Sequence, residues 1–230
     1  MRGHQLALPV QLRDSASFDT YYAGPNVAAV DALRAAASDV LLYGAPASGR
    51  SHLLQAVARV RQAAYLPLAQ LQEAGADVLA GFDQAPAICL DDVDAVSGER
   101  GWCTALLRLI DAQRARGSRI VLACAHAPER MDVALPDLRT RLSACAVFGL
   151  KPLSDDDRAE LLRERAHARG MELAEDATRW LLAHLPRDAG SLVDALETLD
   201  RASLREQRRL TLPFVQACLR APSAAHTSAG

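Results

Sequence analysis

The amino-acid sequence predicts an α/β fold in which a parallel sheet is flanked by helices and followed by a small C-terminal helical subdomain. Three observations predict this class. Short apolar segments alternate with segments whose apolar residues recur at helical spacing, a glycine-bearing turn joins the first strand-like segment to a helix, and only helical patterns follow Pro152. Strands that alternate with helices pair in parallel through βαβ crossovers.

The composition is that of a globular protein: 50% of the 230 residues are hydrophobic and 23% are charged. The length suits one large domain or two small ones. No run of 18 apolar residues is present, which excludes a membrane span, and the first residues lack a secretion-signal pattern, so we expect a cytoplasmic protein. The formal net charge of −2 argues against a protein whose main task is to bind nucleic acid.

The five cysteines form no Cys-x-x-Cys pair and lie mostly among apolar neighbours. We therefore expect reduced thiols that act as small apolar side chains, and neither a disulfide framework nor a zinc site. The cysteines are Cys89, Cys103, Cys124, Cys145 and Cys218.

The first part of the chain supplies the predicted sheet. Its first helical pattern covers 26–37, where Val27, Val30 and Leu33 recur at helical spacing. Short apolar segments with the length of buried strands follow at 40–43, 64–68, 87–90, 119–124 and 145–150. Further helical patterns lie between them at 51–64 and 104–116.

The pattern changes after Pro152. Ser154, with Asp157 three residues later, resembles a capping box at a helix start. Four helical segments follow with no strand between them, at 155–169, 175–185, 187–206 and 212–219. The predicted organisation is a flexible N-terminal segment at 1–13, an α/β domain at 14–151, a helical lid subdomain at 152–220 and a disordered tail at 221–230.

Residues 44–51 fit the phosphate-loop pattern Gly-x-x-x-x-Gly-Lys-Ser/Thr, except that Arg50 stands at the lysine position. In such a loop successive backbone N–H groups and a helix N-terminus cradle the phosphates. Arg50 would reach the β- and γ-phosphates, although arginine is longer and planar where lysine is a compact charge, and Ser51 would ligate Mg²⁺. The alternative is an ordinary strand-to-helix turn. The residues assigned to nucleotide binding are Gly44, Ala45, Pro46, Ala47, Ser48, Gly49, Arg50, Ser51 and His52.

Two adjacent carboxylates, Asp91 and Asp92, end the third predicted strand. Such a pair alone often marks only the start of a loop. Combined with the phosphate loop, it indicates that Asp91 would hold the metal and that Asp92 would polarise the attacking water.

With these two motifs and the helical lid, the chain resembles an AAA+ module of the replication-initiator (DnaA) clade, and within it the Hda-like regulatory inactivators. The resemblance covers about residues 5–219 and implies the AAA+ P-loop NTPase fold. The further segments that carry it are 5–9, 49–54, 135–142, 150–155, 199–203 and 212–215. The matched part ends before the helix-turn-helix domain of the initiator, so we expect no direct sequence-specific DNA binding.

The resemblance also implies which γ-phosphate sensors are present. Ala125 occupies the position that aligns with the polar first sensor, and Arg187 aligns with the arginine of the second sensor. A preorganised donor of this kind is worth a few kcal/mol in the transition state. We therefore expect a degenerate site that binds ADP in preference to ATP, together with Mg²⁺. We also expect it to have little or no intrinsic ATP turnover. His126 is a replacement sensor or, in the simpler interpretation, a solvent-facing loop residue.

By the same resemblance, the N-terminal segment is expected to bind the DNA polymerase III β sliding clamp. The clamp-binding residues are Gln5, Leu6, Leu8, Pro9 and Val10. Their physical pattern fits this role because apolar side chains fill a groove while a glutamine fixes the register. The alternative is an arm that packs on its own domain.

Arg141 aligns with the arginine finger of the family, which acts on ATP bound to a neighbouring subunit. The resemblance therefore predicts a negative regulator of replication initiation that stimulates ATP hydrolysis on the initiator DnaA. In the simpler interpretation, Arg141 forms only a surface salt bridge and Arg187 is an ordinary surface residue at a helix start. The arginine-rich stretch 201–209 contacts DNA or an acidic partner, or is a solvated helix face.

Two other classes of function stay open at this point. One is an autonomous AAA+ ATPase or loader, and the other is a non-hydrolysing nucleotide-binding scaffold. The missing first sensor argues against the ATPase. Homo-oligomerisation is also left open by the sequence.

Overall fold

The computed structural model describes residue 12 and residues 16–35, 37–206 and 210–220. The chain divides into two compact units, and the division falls between Pro152 and Leu153. The clamp-binding residues predicted at 5–10, the predicted tail 221–230 and the end of the arginine-rich stretch at 207–209 lie outside the described residues.

The first unit contains a parallel sheet with the strand order β2-β3-β4-β1-β5. Its strands are β1 (Val40–Tyr43), β2 (Ala64–Pro67), β3 (Ala87–Asp91), β4 (Arg119–Cys124) and β5 (Ala146–Gly149). All five predicted strands and their parallel pairing are confirmed. Strand β2 ends one residue earlier than predicted because Leu68 already begins a short helix.

Among the described residues, five α-helices accompany the sheet. They are α1 (Val27–Ala35), α2 (Arg50–Arg61), α3 (Leu68–Leu71), α4 (Arg100–Ala115) and α5 (Pro136–Ser143). Helix α4 begins before the predicted position 104, because Trp102 and Cys103 are buried and belong to its apolar face. Pro136 stands in the first turn of α5, where its missing N–H and fixed φ cost least.

Side chains alternate between the two faces of the sheet, so the unit has two apolar layers. One face packs against α4 and α5 through residues such as Leu41, Ile88 and Leu122. The other face packs against α1 and α2 through residues such as Val40 and Cys89. This three-layer arrangement is the predicted α/β fold. It brings the carboxyl ends of β1, β3 and β4 to one edge, where ligands bind in folds of this type.

The cysteines behave as predicted for small apolar side chains. Cys89, Cys103, Cys124 and Cys145 are buried, and the described residues contain no disulfide. Burial raises the pKa of the Cys89 and Cys124 thiols to about 12. Protonated thiols of this kind are poor nucleophiles.

The second unit is helical. Its helices are α6 (Asp155–Ala168), α7 (Glu175–His184), α8 (Ala189–Glu206) and α9 (Leu212–Arg220). The capping box at the start of α6 is confirmed, since the Ser154 hydroxyl accepts from the Asp157 N–H and the Asp157 carboxylate accepts from the Ser154 N–H. A single parallel bridge between Leu173 and Leu210 is its one extended pairing among the described residues.

Helix α8 starts at Ala189 rather than at the predicted position 187. The reason is the Asp188 carboxylate, which accepts hydrogen bonds from the N–H and the hydroxyl of Ser191 at 2.8 and 2.7 Å and so caps the helix. These bonds, rather than burial, set the pKa of Asp188 below its usual value. Across the described ranges, no helix is both long enough and apolar enough to span a membrane.

Candidate functional site

The phosphate loop joins the end of β1 to the start of α2, as the sequence predicts. The loop turns through two positive φ angles, +61° at Ala47 and +93° at Gly49. A side chain at Gly49 would be strained twice, because its Cβ would also lie 2.6 Å from Cε2 of Tyr21. Tyr21 therefore covers the loop at the point where α2 begins, a contact that the motif alone does not predict.

The loop and the first residue of α2 leave hydrogen-bond donors without partners. Among the described residues, the buried Ser48 hydroxyl and the buried Nη1 of Arg50 have none. No side chain caps α2, so its first N–H groups and the positive end of its dipole also face the loop. Such unsatisfied buried donors fit an anionic group, and the loop therefore fits the phosphates of a nucleotide.

Arg50 lies against Asp92. The Arg50 side chain is only 11% exposed, and its Nη2 lies 3.8 Å from Oδ1 of Asp92. Burial and the charge of Asp91 raise the pKa of Asp92, and the charge of Arg50 opposes them. Asp92 itself adopts a left-handed conformation with φ of +53°. The arginine at the lysine position thus links the two predicted nucleotide motifs directly.

Asp91 is fully buried at the end of β3. Its Oδ2 accepts a hydrogen bond of 2.7 Å from the Tyr65 hydroxyl, and its Oδ1 accepts one of 3.0 Å from the N–H of Asp92. Each oxygen keeps a further lone pair that a metal ion could use. Burial, followed by the charge of Asp91, raises the pKa of Tyr65 well above its usual range, so the phenol stays a donor.

Sequence reasoning did not identify Tyr65. The sequence shows that Tyr65 lies in a predicted strand. It does not show that this strand, β2, pairs with β3 in the register that sets Tyr65 opposite Cys89, and that pairing brings the Tyr65 hydroxyl to Asp91.

At the predicted first-sensor position, Ala125 offers no side-chain donor. Its backbone N–H donates a hydrogen bond of 2.8 Å to Oδ1 of Asp94. Asp94 belongs to the single helical turn Val93–Ala95 that follows Asp92, and the sequence analysis did not assign it a role. The backbone N–H at this position is thus already hydrogen-bonded to a carboxylate. The neighbouring His126 is exposed, as expected of a loop residue.

His52, which was assigned to the nucleotide site, contacts the segment before α1. Its Nε2 lies 2.8 Å from the carbonyl oxygen of Ser17 and 3.2 Å from Oγ1 of Thr20. Its ring also lies 5.6 Å from that of Tyr21. These contacts hold the segment 17–21 on α2.

Arg187 lies in the second unit, directly before the residue that caps α8. Its side chain is 82% exposed, and its Nη2 lies 3.8 Å from Oδ2 of Asp155. Arg158 donates a hydrogen bond to the other oxygen of Asp155 and lowers the pKa of that carboxyl. This weak, exposed contact leaves the Arg187 guanidinium accessible, and its assignment as second sensor stays a prediction.

Arg141 lies in the last turn of α5. Its Nε donates a hydrogen bond of 2.8 Å to Oδ1 of Asp111 on α4, and the two side chains are 44% and 52% exposed. This contact with Asp111 raises the pKa of Arg141. Arg139, two residues earlier, instead donates a hydrogen bond of 2.9 Å from Nη2 to the carbonyl oxygen of Met131, and its Nε is buried. The two arginines therefore have different surroundings, and only Arg141 is held by a carboxylate.

Comparison with known families agrees with this geometry. Residues 40–150 match the family model of the ATPases associated with various cellular activities (AAA). Residues 155–219 match the model of the lid domain of Hda. The chain belongs to the Hda-like, DnaA-homologous AAA+ proteins. The AAA match lies within the first unit, and the match to the Hda lid domain lies within the second.

One relative is similar over almost the whole chain, and two solved structures share its fold. An uncharacterized protein of Haemophilus influenzae is 34% identical over 226 residues, which cover 94% of this chain and 98% of that protein. Domain III of the Thermotoga maritima replication initiation protein DnaA superposes with a TM-score of 0.73 at 20% identity, covering 91% of this chain and 98% of the domain. The DnaA of Aquifex aeolicus, solved with AMPPCP bound, gives 0.68 at 18% identity and covers 86% of this chain and 70% of its own. The two solved structures show similarity of fold.

Proposed function

We propose that this Hda-like protein is a negative regulator of replication initiation that stimulates hydrolysis of ATP bound to the initiator DnaA, with Arg141 as the arginine supplied in trans. The observation that carries the proposal is the contrast between two sites in one AAA+ domain. Arg141 is an accessible arginine held on a helix end, whereas the first-sensor position of the domain's own nucleotide site is Ala125. Such a domain is better equipped to complete a neighbour's active site than to run its own.

The chemistry of the proposed step is electrostatic. An arginine that reaches the transferring phosphoryl group neutralises charge that develops on its oxygens, and fingers of this kind contribute about 10³–10⁵ in rate. Arginine suits this task because its planar fork can hold two oxygens at once. The fold shared with DnaA domain III supports a pairing of two related AAA+ domains, in which Arg141 would face the nucleotide of the partner.

The protein's own site is proposed to hold ADP and Mg²⁺. Gly44, Ala45, Pro46, Ala47, Ser48 and Gly49 would cradle the diphosphate, and Arg50 would neutralise its charge. Ser51 and Asp91 would hold the metal, whose role when bound is to neutralise phosphate oxygens. The unpartnered Ser48 and Arg50 donors support the assignment. Asp92 is the candidate base of a site that we expect to turn over little or not at all.

Docking on the DNA polymerase III β sliding clamp through Gln5, Leu6, Leu8, Pro9 and Val10 completes the proposal. Clamp docking would concentrate the protein where replication is under way, and only then would Arg141 meet initiator-bound ATP at a useful rate.

A reconstituted reaction tests the proposal as a whole. It contains purified DnaA loaded with radiolabelled ATP, clamp loaded on circular DNA, and this protein. We expect DnaA-bound ATP to convert to ADP at least tenfold faster when both this protein and the loaded clamp are present. Equal rates with and without this protein would contradict the proposed function.

A further inference from the structure

We propose that Asp111 is a positioning residue for Arg141: it holds the guanidinium by Nε and leaves both Nη nitrogens to grip the phosphate oxygens of a nucleotide bound to a partner. The inference rests on the proposed function of Arg141, and it adds the residue that sets the geometry of the arginine. No sequence motif points to Asp111, which lies in the middle of a predicted amphipathic helix.

The contact between Asp111 and Arg141 uses one part of the guanidinium. A guanidinium has one Nε–H and two Nη groups, and it can offer two adjacent donors to an oxyanion. The hydrogen bond of 2.8 Å to Asp111 engages Nε. None of the hydrogen bonds among the described residues uses the Nη nitrogens of Arg141, and the side chain is 44% exposed. The pair therefore fixes the Nε side of the guanidinium and leaves the Nη nitrogens without a hydrogen bond among the described residues.

The backbone beneath Arg141 is also held. Arg114 donates a hydrogen bond of 3.2 Å from Nη2 to the carbonyl oxygen of Arg141. It donates a second one, of 2.8 Å, from Nε to Oδ2 of Asp39. Asp39 in turn accepts from the N–H of Ile120 on β4 and, through its carbonyl oxygen, from the N–H of Ala146 on β5. The end of α5 is thus bonded to the sheet, and the side-chain torsions of Arg141 are the main freedom left for Asp111 to restrict.

Restricting those torsions matters for rate more than for folding. An exposed ion pair contributes little to stability, so loss of Asp111 should leave the protein folded. A free arginine side chain, in contrast, must lose its rotamer entropy when it enters a neighbour's active site, and a small misplacement of a reacting group is costly. Positioning by Asp111 removes part of that cost before the two proteins meet.

The test measures stimulated hydrolysis of DnaA-bound ATP with four variants: Asp111→Ala, Asp111→Asn, Arg141→Ala and the double variant Asp111→Ala/Arg141→Ala. We expect Asp111→Ala to lower the maximal stimulated rate about three- to tenfold while the concentration that gives half-maximal stimulation is unchanged. Asp111→Asn should restore most of the rate, because the amide oxygen still accepts from Nε. The double variant should be no slower than Arg141→Ala, because Asp111 acts through Arg141.

A second measurement follows the contact itself in the intact protein. In ¹⁵N-edited NMR spectra, the Nε–H proton of Arg141 should exchange slowly with water in the wild type and in Asp111→Asn, and rapidly in Asp111→Ala. Rapid exchange in the wild type would contradict the geometry whatever the activity measurements give.

The possible failures are distinguishable. If Arg141→Ala abolishes stimulation but Asp111→Ala keeps the full rate, the inference is overturned and the proposed function stands. A faster rate with Asp111→Ala would also overturn it, since the carboxylate would then be holding the arginine away from its target. Full stimulation by Arg141→Ala would overturn the proposed function itself.

Discussion

The backbone N–H of Ala125, the residue that follows β4, donates a hydrogen bond of 2.8 Å to the carboxylate of Asp94. The family resemblance predicts a side-chain donor for a γ-phosphate at this position; Ala125 has none, and its backbone N–H is already bonded to a negative charge. Asp94 also adds to the charges that raise the pKa of Asp92. The Asp94 carboxylate beside the predicted first-sensor position would repel a third phosphate, and we therefore expect a preference for ADP.

Asp94→Asn should raise the affinity for ATP about three- to tenfold more than the affinity for ADP. The asparagine oxygen still accepts from the Ala125 N–H, so the change removes the charge and keeps the hydrogen bond. Titration calorimetry with each nucleotide measures the effect. The control is Asp77→Asn, which neutralises an exposed carboxylate. Wild-type protein that binds ATP more tightly than ADP and turns it over steadily would contradict the degenerate site and favour an autonomous ATPase.

Tyr65→Phe should weaken the binding of Mg²⁺–ADP about tenfold and lower the free energy of unfolding by about 1–3 kcal/mol. The reason is that Asp91 is buried and loses one of its two donors, and outer partners of metal ligands commonly affect metal affinity by this much. The measurement is the shift in melting temperature with ADP at several Mg²⁺ concentrations. Tyr43→Phe is the control, because none of the hydrogen bonds among the described residues involves the Tyr43 hydroxyl. Equal shifts for the wild type and Tyr65→Phe would contradict a role for the Tyr65 hydroxyl in supporting Asp91 as a metal ligand.

Gly49→Ala should abolish nucleotide binding and lower the free energy of unfolding by about 1–3 kcal/mol. Two effects add at this position, a φ of +93° and a contact of 2.6 Å between the new Cβ and the ring of Tyr21. Gly117→Ala separates them, because Gly117 has a φ of +67° and nothing within 4 Å of an added Cβ. Chemical denaturation of both variants measures the difference, which we expect to favour Gly117→Ala. If the two variants lose the same stability, Tyr21 does not press on the loop.

Replacing Gln5, Leu6 and Leu8 together by alanine should abolish binding to the β sliding clamp and leave the melting temperature unchanged. Without the apolar anchors and the glutamine that fixes register, the segment has little left to bind a groove. Surface plasmon resonance on immobilised clamp measures the loss. The control is Arg141→Ala, which should bind the clamp like the wild type. Clamp binding that survives the triple replacement would show that the segment is not the docking site.

The parts of the structure that sequence reasoning predicted well depend on neighbours in the chain. The strands, the phosphate loop and the capping box at Ser154 all depend on patterns a few residues long. The helix start predicted at 187 was wrong by two residues, because the capping role of Asp188 was not recognised.

The contacts that sequence reasoning missed join distant parts of the chain. Tyr65 meets Asp91 across 26 positions, and Asp94 meets Ala125 across 31. Asp111 meets Arg141 across 30. Each pair depends on sheet register or on the packing of one helix against another. A single sequence shows that such side chains exist and does not show which of them meet.

The trans-acting role of Arg141 is tested by comparing Arg141→Ala, Arg141→Lys and Arg139→Ala in the reconstituted reaction with DnaA-bound ATP and loaded clamp. Alanine or lysine at 141 should each remove the stimulation of hydrolysis, since lysine keeps the charge and loses the fork, while clamp binding persists. Arg139→Ala should cost less, because Arg139 is bonded to the carbonyl oxygen of Met131. Full stimulation by Arg141→Ala would contradict the account.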